Sequence, residues 1–445
     1  MSERSERTKS TGETTPDAVP SPAAPPKPEI IEGPAERTRR QRVGSVMLVF
    51  ALIGLGLAIF TKGGKATFQL VSGDLQHNLL GLPAQPVGLI LGILGTAAAV
   101  AYVVPSVRRR VPQRYAGWLA AVLGICFIGA FLCWASAGKT FPLANQFQGT
   151  LNFATPLILG ALAGVMCERA GVINIAIEGQ FLVGAFTAAL VSSTTHSGVA
   201  ALAAAAATGV LMAALLAVFS IKYLVNQVVL GVVLVVFATG ITGFLFDQFM
   251  QPKADQLNTP VVLSAIKIPV LGDIPFIGPI LFRQTILVYL MYLAVAVVTF
   301  VLFETRWGLR IRAVGEHPKA ADTVGIKVKR IRYSAVLAAG VLAGLGGAFF
   351  TVGYAGSFSK EMTAGNGFIA LAALIMGRWH PVGATVAALF FGFATQLQSQ
   401  LQIIQIPIPG SLLLMAPYVA TIIAVAGLVG RVRAPKADGE PYVTD

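Results

Sequence analysis

The chain has 445 residues, 33 of them basic and 20 acidic, so 12% carry charge, about half the ~25% usual in a soluble domain. Between Val43 and Gly430 only 32 charges remain in 388 residues, and 10 of those are acidic. Buried charge is costly, so this stretch excludes a soluble enzyme or a disordered scaffold and requires lipid as its main solvent. The net charge of +13 does not point to nucleic acid, because the basic residues sit in short runs between apolar stretches, as the positive-inside rule expects.

Residues 1–36 hold seven prolines, many Ser, Thr and Glu, and little that could build a core. With Arg37, Arg39, Arg40 and Arg42 they read as a disordered cytoplasmic tail over 1–42 rather than a signal peptide, since the polar part is long and no cleavage pattern follows. Three apolar runs come next, at 43–60, 86–104 and 115–137, and form an N-terminal module over 43–137. Cys126 and Cys133 are seven apart on one helix face and read, with Cys167, as small packing residues. Further runs follow at 147–166, 173–193, 199–224, 228–246, 285–303, 334–353, 367–377, 383–399 and 409–430. The run at 367–377 is too short to cross a bilayer alone. The expectation is an all-α, polytopic integral membrane protein with 10–12 transmembrane helices, a core over 148–430 and a cytoplasmic C-terminal tail over 431–445.

Charge fixes the orientation. An inside N-terminus places Arg108, Arg109, Arg110 and Arg114 inside, and the loop 192–198, which has no Lys or Arg, outside. The loop 304–333, with 8 Lys/Arg against 3 acids, falls inside, as does the tail with Arg431, Arg433 and Lys436. The charge-poor loop 247–284 falls outside. Both termini are therefore expected in the cytoplasm of a multi-pass plasma (inner) membrane protein.

Within 304–333, Pro318 fits the first position of a short helix and Gly325 its C-terminal stop. A basic loop facing headgroups explains the charge but not this capped segment. Glu316, His317, Pro318, Lys319, Ala320, Ala321, Asp322 and Gly325 are the candidate docking residues for a cytoplasmic partner.

The segment resembles the cytoplasmic coupling loop of ABC-transporter permeases, with Glu316, Ala320, Ala321 and Gly325 echoing their EAA–G pattern. The stretch 148–430 resembles the branched-chain amino acid/ribose type permeases, and within them the nucleoside and simple-sugar branch. The motifs that carry the likeness are ERAGVINIAIEG at 168–179, RAVGEHPKAADTVGI at 312–326 and GFIALAALIMGRWHP at 367–381. The resemblance implies an import pore. Two permeases, homologous or identical, stand side by side, an extracytoplasmic substrate-binding lipoprotein delivers a nucleoside or small sugar, and a cytoplasmic ABC ATPase supplies ATP and Mg chemistry. The sequence agrees in lacking GxxxxGK[ST]. Gly138-Lys139-Thr140 ends like one, but Cys133 holds the first glycine position and the segment falls outside, so this chain is expected to bind no cofactor and catalyse no reaction. The alternative is a secondary carrier or facilitator working without an ATPase.

Glu168 and Glu178 flank a break at Gly171, with Arg169 adjacent. Glu178 is the deepest acid and needs a partner or water. It either pairs with Arg169 or caps a backbone break, or else lines the path or carries protons. GVINIA from Gly171 leading to Gly184-Ala185, and GFIALA from Gly367 leading to Gly383-Ala384, would run in opposite directions, the pattern of an inverted repeat with broken helices. The GxxxG pairs Gly160/Gly164 and Gly340/Gly344 read as close helix contacts. Candidate path residues are Asn152, Thr155, Asn174, Glu178, Gln180, Asn226 and Gln227, with Phe153, Phe181 and Phe237 able to stack on a base. His77, His196, His317 and His380 do not cluster in the sequence, so no metal or catalytic site is expected.

Overall fold

The computed structural model describes residues 34–61, 63–71, 79–104, 116–406, 408–412, 415 and 433–443. Helix α1 (Pro34–Ile59) is followed by strands β1 (Lys65–Gln69) and β2 (Leu79–Pro83), then α2 (Ala84–Val103), α3 (Ala116–Ala135) and β3 (Thr140–Phe141). The core begins with α4 (Leu143–Glu168), α5 (Ile177–Thr195), α6 (Gly198–Ala217) and α7 (Gln227–Leu245). Short elements follow: α8 (Ala254–Leu257), β4 (Ile266–Lys267), α9 (Ile277–Leu281) and β5 (Arg283–Gln284). The chain continues through α10 (Ile286–Glu304), α11 (Arg306–Glu316), α12 (Pro318–Thr323), α13 (Val328–Ala348), α14 (Asn366–Met376) and α15 (Pro381–Ile403).

Among the described residues, eight helices are long and apolar enough to cross a bilayer, and Val43–Ile59 and Asn366–Met376 are shorter apolar stretches. The expected tail boundary shifts. Residues 34–42 belong to α1, because Pro34 suits a helix start and the arginine-rich turn continues the helix past its apolar part. The predicted run 409–430, and Arg108, Arg109, Arg110, Arg114 and Arg431, lie outside or almost wholly outside the described residues.

α5 has 19 residues yet is not among the eight. It is enclosed by α6, α7, α13 and α14. Apolarity is demanded by lipid contact, and a helix sheathed in protein can carry Glu178, Gln180 and several glycines. α4 is the other central element. Its apolar window is 89% buried, against 28% for α2 and α10. α13 packs on α4, α5 and α6. The contact with α6 needs the paired glycines: a Cβ on Gly340 would meet Val210 Cα at 2.9 Å, and one on Gly344 would meet the Ala205 backbone.

The N-terminal helices α1, α2 and α3 pack on each other, with Cys126 and Cys133 turned toward Gly95 and Gly88 of α2. The module meets the core through a small sheet, ordered β2-β1-β3, with β1 antiparallel to β2 and parallel to β3. Ala66, Phe68 and Phe141 of that sheet, with Cys133 of α3, pack with Leu401 in the last turn of α15 and Ile406 beyond it. Lys139 Nζ donates to the carbonyls of Ile404 and Gln405, each at 2.7 Å, and so satisfies the orphan C-terminal acceptors of α15.

Candidate functional site

Two backbone breaks organise the centre. The first runs from Arg169 to Ala176, with Gly171 at φ +82°. The second follows α13, which ends in a wide turn over Phe349–Ala355, and reaches α14 through Gly356 (φ +70°) and Gly365 (φ +81°). α5 and α14 then start beside each other and run in opposite directions. Gly367 touches Glu178, Leu374 lies on Gly164, and Trp379 reaches Glu168.

Glu178 joins the two starts. Its Oε1 accepts from the Thr363 hydroxyl at 2.6 Å and the Gly365 N–H at 2.9 Å, and its Oε2 accepts from the Gly367 N–H at 2.6 Å. The carboxylate is 8% exposed and lies in the first turn of its own helix, α5. It thus fills the positive ends of two helices and satisfies donors that water cannot reach. The geometry makes this acid a cap and does not pair it with Arg169. Arg169 instead donates through Nε to the Trp379 carbonyl at 2.9 Å.

Around the first break, Asn174 Nδ2 donates to Gln180 Oε1 at 3.2 Å, both fully buried, and Gln227 Oε1 accepts from the Ile173 N–H at 2.7 Å. Asn174, Glu178, Gln180 and Gln227 therefore gather at one place. The other path candidates do not join them. Asn226 is an exposed N-cap accepting from the N–H groups of Val228 and Val229. Thr155 bonds the Leu151 carbonyl of its own helix. Asn152 is half-buried in the N-terminal half of α4, near Phe153, whose ring lies 5.5 Å from Tyr354. Phe181 is buried against Phe350, while Phe237 is 51% exposed on an outer face.

The three sequence motifs converge at the C-terminal end of α4. Trp379 Nε1 donates to Glu168 Oε2. Gly315 packs so closely on the Arg169 carbonyl that no Cβ fits. Burial pushes the Arg169 guanidinium down, and the Glu316 charge opposes that shift. Arg312 lies over the Phe303 ring at 5.0 Å, and that ring stacks on His380 at 4.8 Å. His380 is pushed down by burial and then by Arg169.

From this base α11 and α12 project as a hook. Thr305 caps α11 by accepting from the Gly308 N–H, Pro318 opens α12, and Gly325 (φ +84°) follows its end. Ala321 anchors the hook beside Val314, Val328 and Tyr442. Glu316, His317, Lys319, Ala320, Asp322 and Gly325 are exposed, and Pro318 is half-buried, so the hook presents a polar face with a firm seat. Trp379, Arg332 and Asp438 belong to this end but were not singled out from the sequence. Trp379 lay inside a quoted motif, and Arg332 stands out as an arginine entering an apolar run.

The family described as branched-chain amino acid transport system / permease component matches residues 146–429. The guanosine ABC transporter permease protein NupQ of Bacillus subtilis is 45% identical over 304 residues, covering 66% of this chain and 95% of that protein. The nucleoside ABC transporter permease protein NupC of Lactococcus lactis is 41% identical over 303 residues, with the same coverage of 66% and 95%. The putative glucose ABC transporter permease protein TsgC13 of Haloferax volcanii is 37% identical over 262 residues, covering 58% and 78%. No solved structure matches the chain.

Proposed function

From the premise that the chain belongs to the branched-chain amino acid transport system permease family, a multi-pass membrane protein, we propose that it is the permease subunit of an ATP-driven importer of nucleosides. The observation that carries this reading is the 45% identity spanning 95% of a guanosine permease. ATP is hydrolysed on a separate cytoplasmic ATPase, and a substrate-binding lipoprotein delivers the nucleoside outside. A second permease, identical or related, completes the path. The basic hook end faces the cytoplasm, with both termini.

The mechanism is alternating access. Closure of the ATPases pushes the exposed face of α12. Gly315 passes that movement to the Arg169 carbonyl, and so to the break that leads to Asn174, Gln180 and Glu178. The two helix starts held by Glu178 move as one unit. An ion-coupled carrier is less well supported, because Glu178 is committed to three donors.

Competition identifies the substrate class. Uptake of labelled guanosine by cells expressing the complete transporter should fall with excess adenosine or uridine and stay constant with excess glucose. Competition by glucose and none by nucleosides would overturn the nucleoside assignment.

A further inference from the structure

Arg332 enters α13 in its second turn and is 1% exposed. A guanidinium so deeply buried is tolerated only with partners. Its Nη1 donates to the Glu440 carbonyl at 2.9 Å, and the Asp438 charge lies close enough to act on it. Both partners come from the segment 433–443. The same segment makes three more contacts. The Ala437 N–H donates to the Gly315 carbonyl at 2.9 Å. Tyr442, 6% exposed, packs with Val314, Ala321 and Val328. Gly439 (φ +78°) lies so near Ile173 that a Cβ would meet its Cδ1 at 2.7 Å. The receiving surface is shaped to match: a Cβ on Gly171 would meet the Ala437 carbonyl at 2.9 Å.

The hook and the first break touch directly where Gly315 meets Arg169. Contacts confined to that one edge, with the Glu316 charge acting on Arg169, transmit a push but leave rotation about it free. The tail adds two attachments on the hook, at Gly315 through the Ala437 N–H and at Tyr442, and two on the break, at Gly171 and Ile173. We propose that residues 435–442 form a coupling strap that ties the α11–α12 hook to the 169–176 break, so that the hook cannot turn without moving the break. The strap rests on the importer reading for what is transmitted, but its docking does not.

Two measurements separate these parts. In membranes, Ala437→Cys (3% exposed) should react with a water-soluble maleimide at least about tenfold more slowly than Lys436→Cys, which is exposed. Equal rates mean that the tail is undocked and overturn the strap whatever the protein transports. In liposomes holding the complete transporter, deletion of residues 433–445 should leave ATP hydrolysis nearly unchanged and lower nucleoside moved per ATP at least about fivefold. Gly439→Val, which swells the strap against Ile173, should act in the same direction and is decisive if the deletion is not inserted. Unchanged transport per ATP in these variants overturns the strap while the intact chain upholds the importer. An intact chain without ATP-dependent uptake defeats the importer reading, and the labelling result then decides docking alone.

Discussion

The N-terminal module and the core use helices of similar hydropathy for different ends. α2 and α3 have mean hydropathies of 2.0 and 2.2 with 28% and 33% of their windows buried; α4, at 1.6, is 89% buried. The module's buried contacts join small residues, such as Gly88 with Cys133 and Gly95 with Cys126. The core buries Glu168, Glu178, Arg332, Asn174 and Gln180, most of them at breaks in helices. A membrane helix can carry buried polar side chains only when protein surrounds it, so these polar residues mark the enclosed centre of the core. The relatives agree, since two-thirds of this chain covers 95% of NupQ and NupC.

The contrast can be broken at the core first. Glu178→Ala strands the Thr363 hydroxyl and two backbone N–H groups, and should cost on the order of 3 kcal/mol, seen as low membrane abundance and an early melting transition. Glu178→Gln keeps acceptor capacity and should lose less. Equal stability of Glu178→Ala and the intact chain would remove the cap from the account. Gly315→Val drives a branched side chain into the Arg169 carbonyl and should cost about 1–3 kcal/mol, with uptake lost before insertion is. Normal uptake in that variant would place coupling elsewhere.

A smaller effect is expected from the strap's acid. Burial raises Asp438 from its ordinary 3.8 to about 7, against the pull of Arg332. The docked segment therefore holds a proton more tightly than the free one. Docking is strongest below pH ~4 and weakens as pH rises through about 7. Maleimide labelling of Ala437→Cys, taken as a ratio to that of exposed Lys436→Cys to remove the ordinary rise in thiolate, should accelerate over that interval, and Asp438→Asn should flatten the ratio. The smallest effect belongs to the module. Lys139→Met removes two hydrogen bonds at the end of α15 and should lower stability by about 1 kcal/mol while leaving transport per ATP unchanged.

The sequence made much of this legible for physical reasons. Lipid demands long apolar runs, so the membrane-spanning helices and the half-length α14 could be read directly. Pro318 and Gly325 bracketed α12 because each suits one end of a helix. Asn226 reads from the sequence as a polar residue inside a span, yet it stands at the border of an apolar run and caps the helix there. The start of α1 at Pro34 was invisible to charge counting, since arginines form helix well outside lipid. Asp438 gave no local signal at all. Its partners Glu168 and Arg332 are far away in sequence, and only the fold brings the three together.

The central claim is that this chain moves nucleosides only when an ATPase acts on its hook. The direct measurement is uptake of labelled guanosine into proteoliposomes holding the chain with its partner permease, ATPase and binding protein, with and without ATP. The account predicts accumulation with ATP, none without it, and none when the ATPase is omitted. Sustained uptake by the permease chains alone would contradict it.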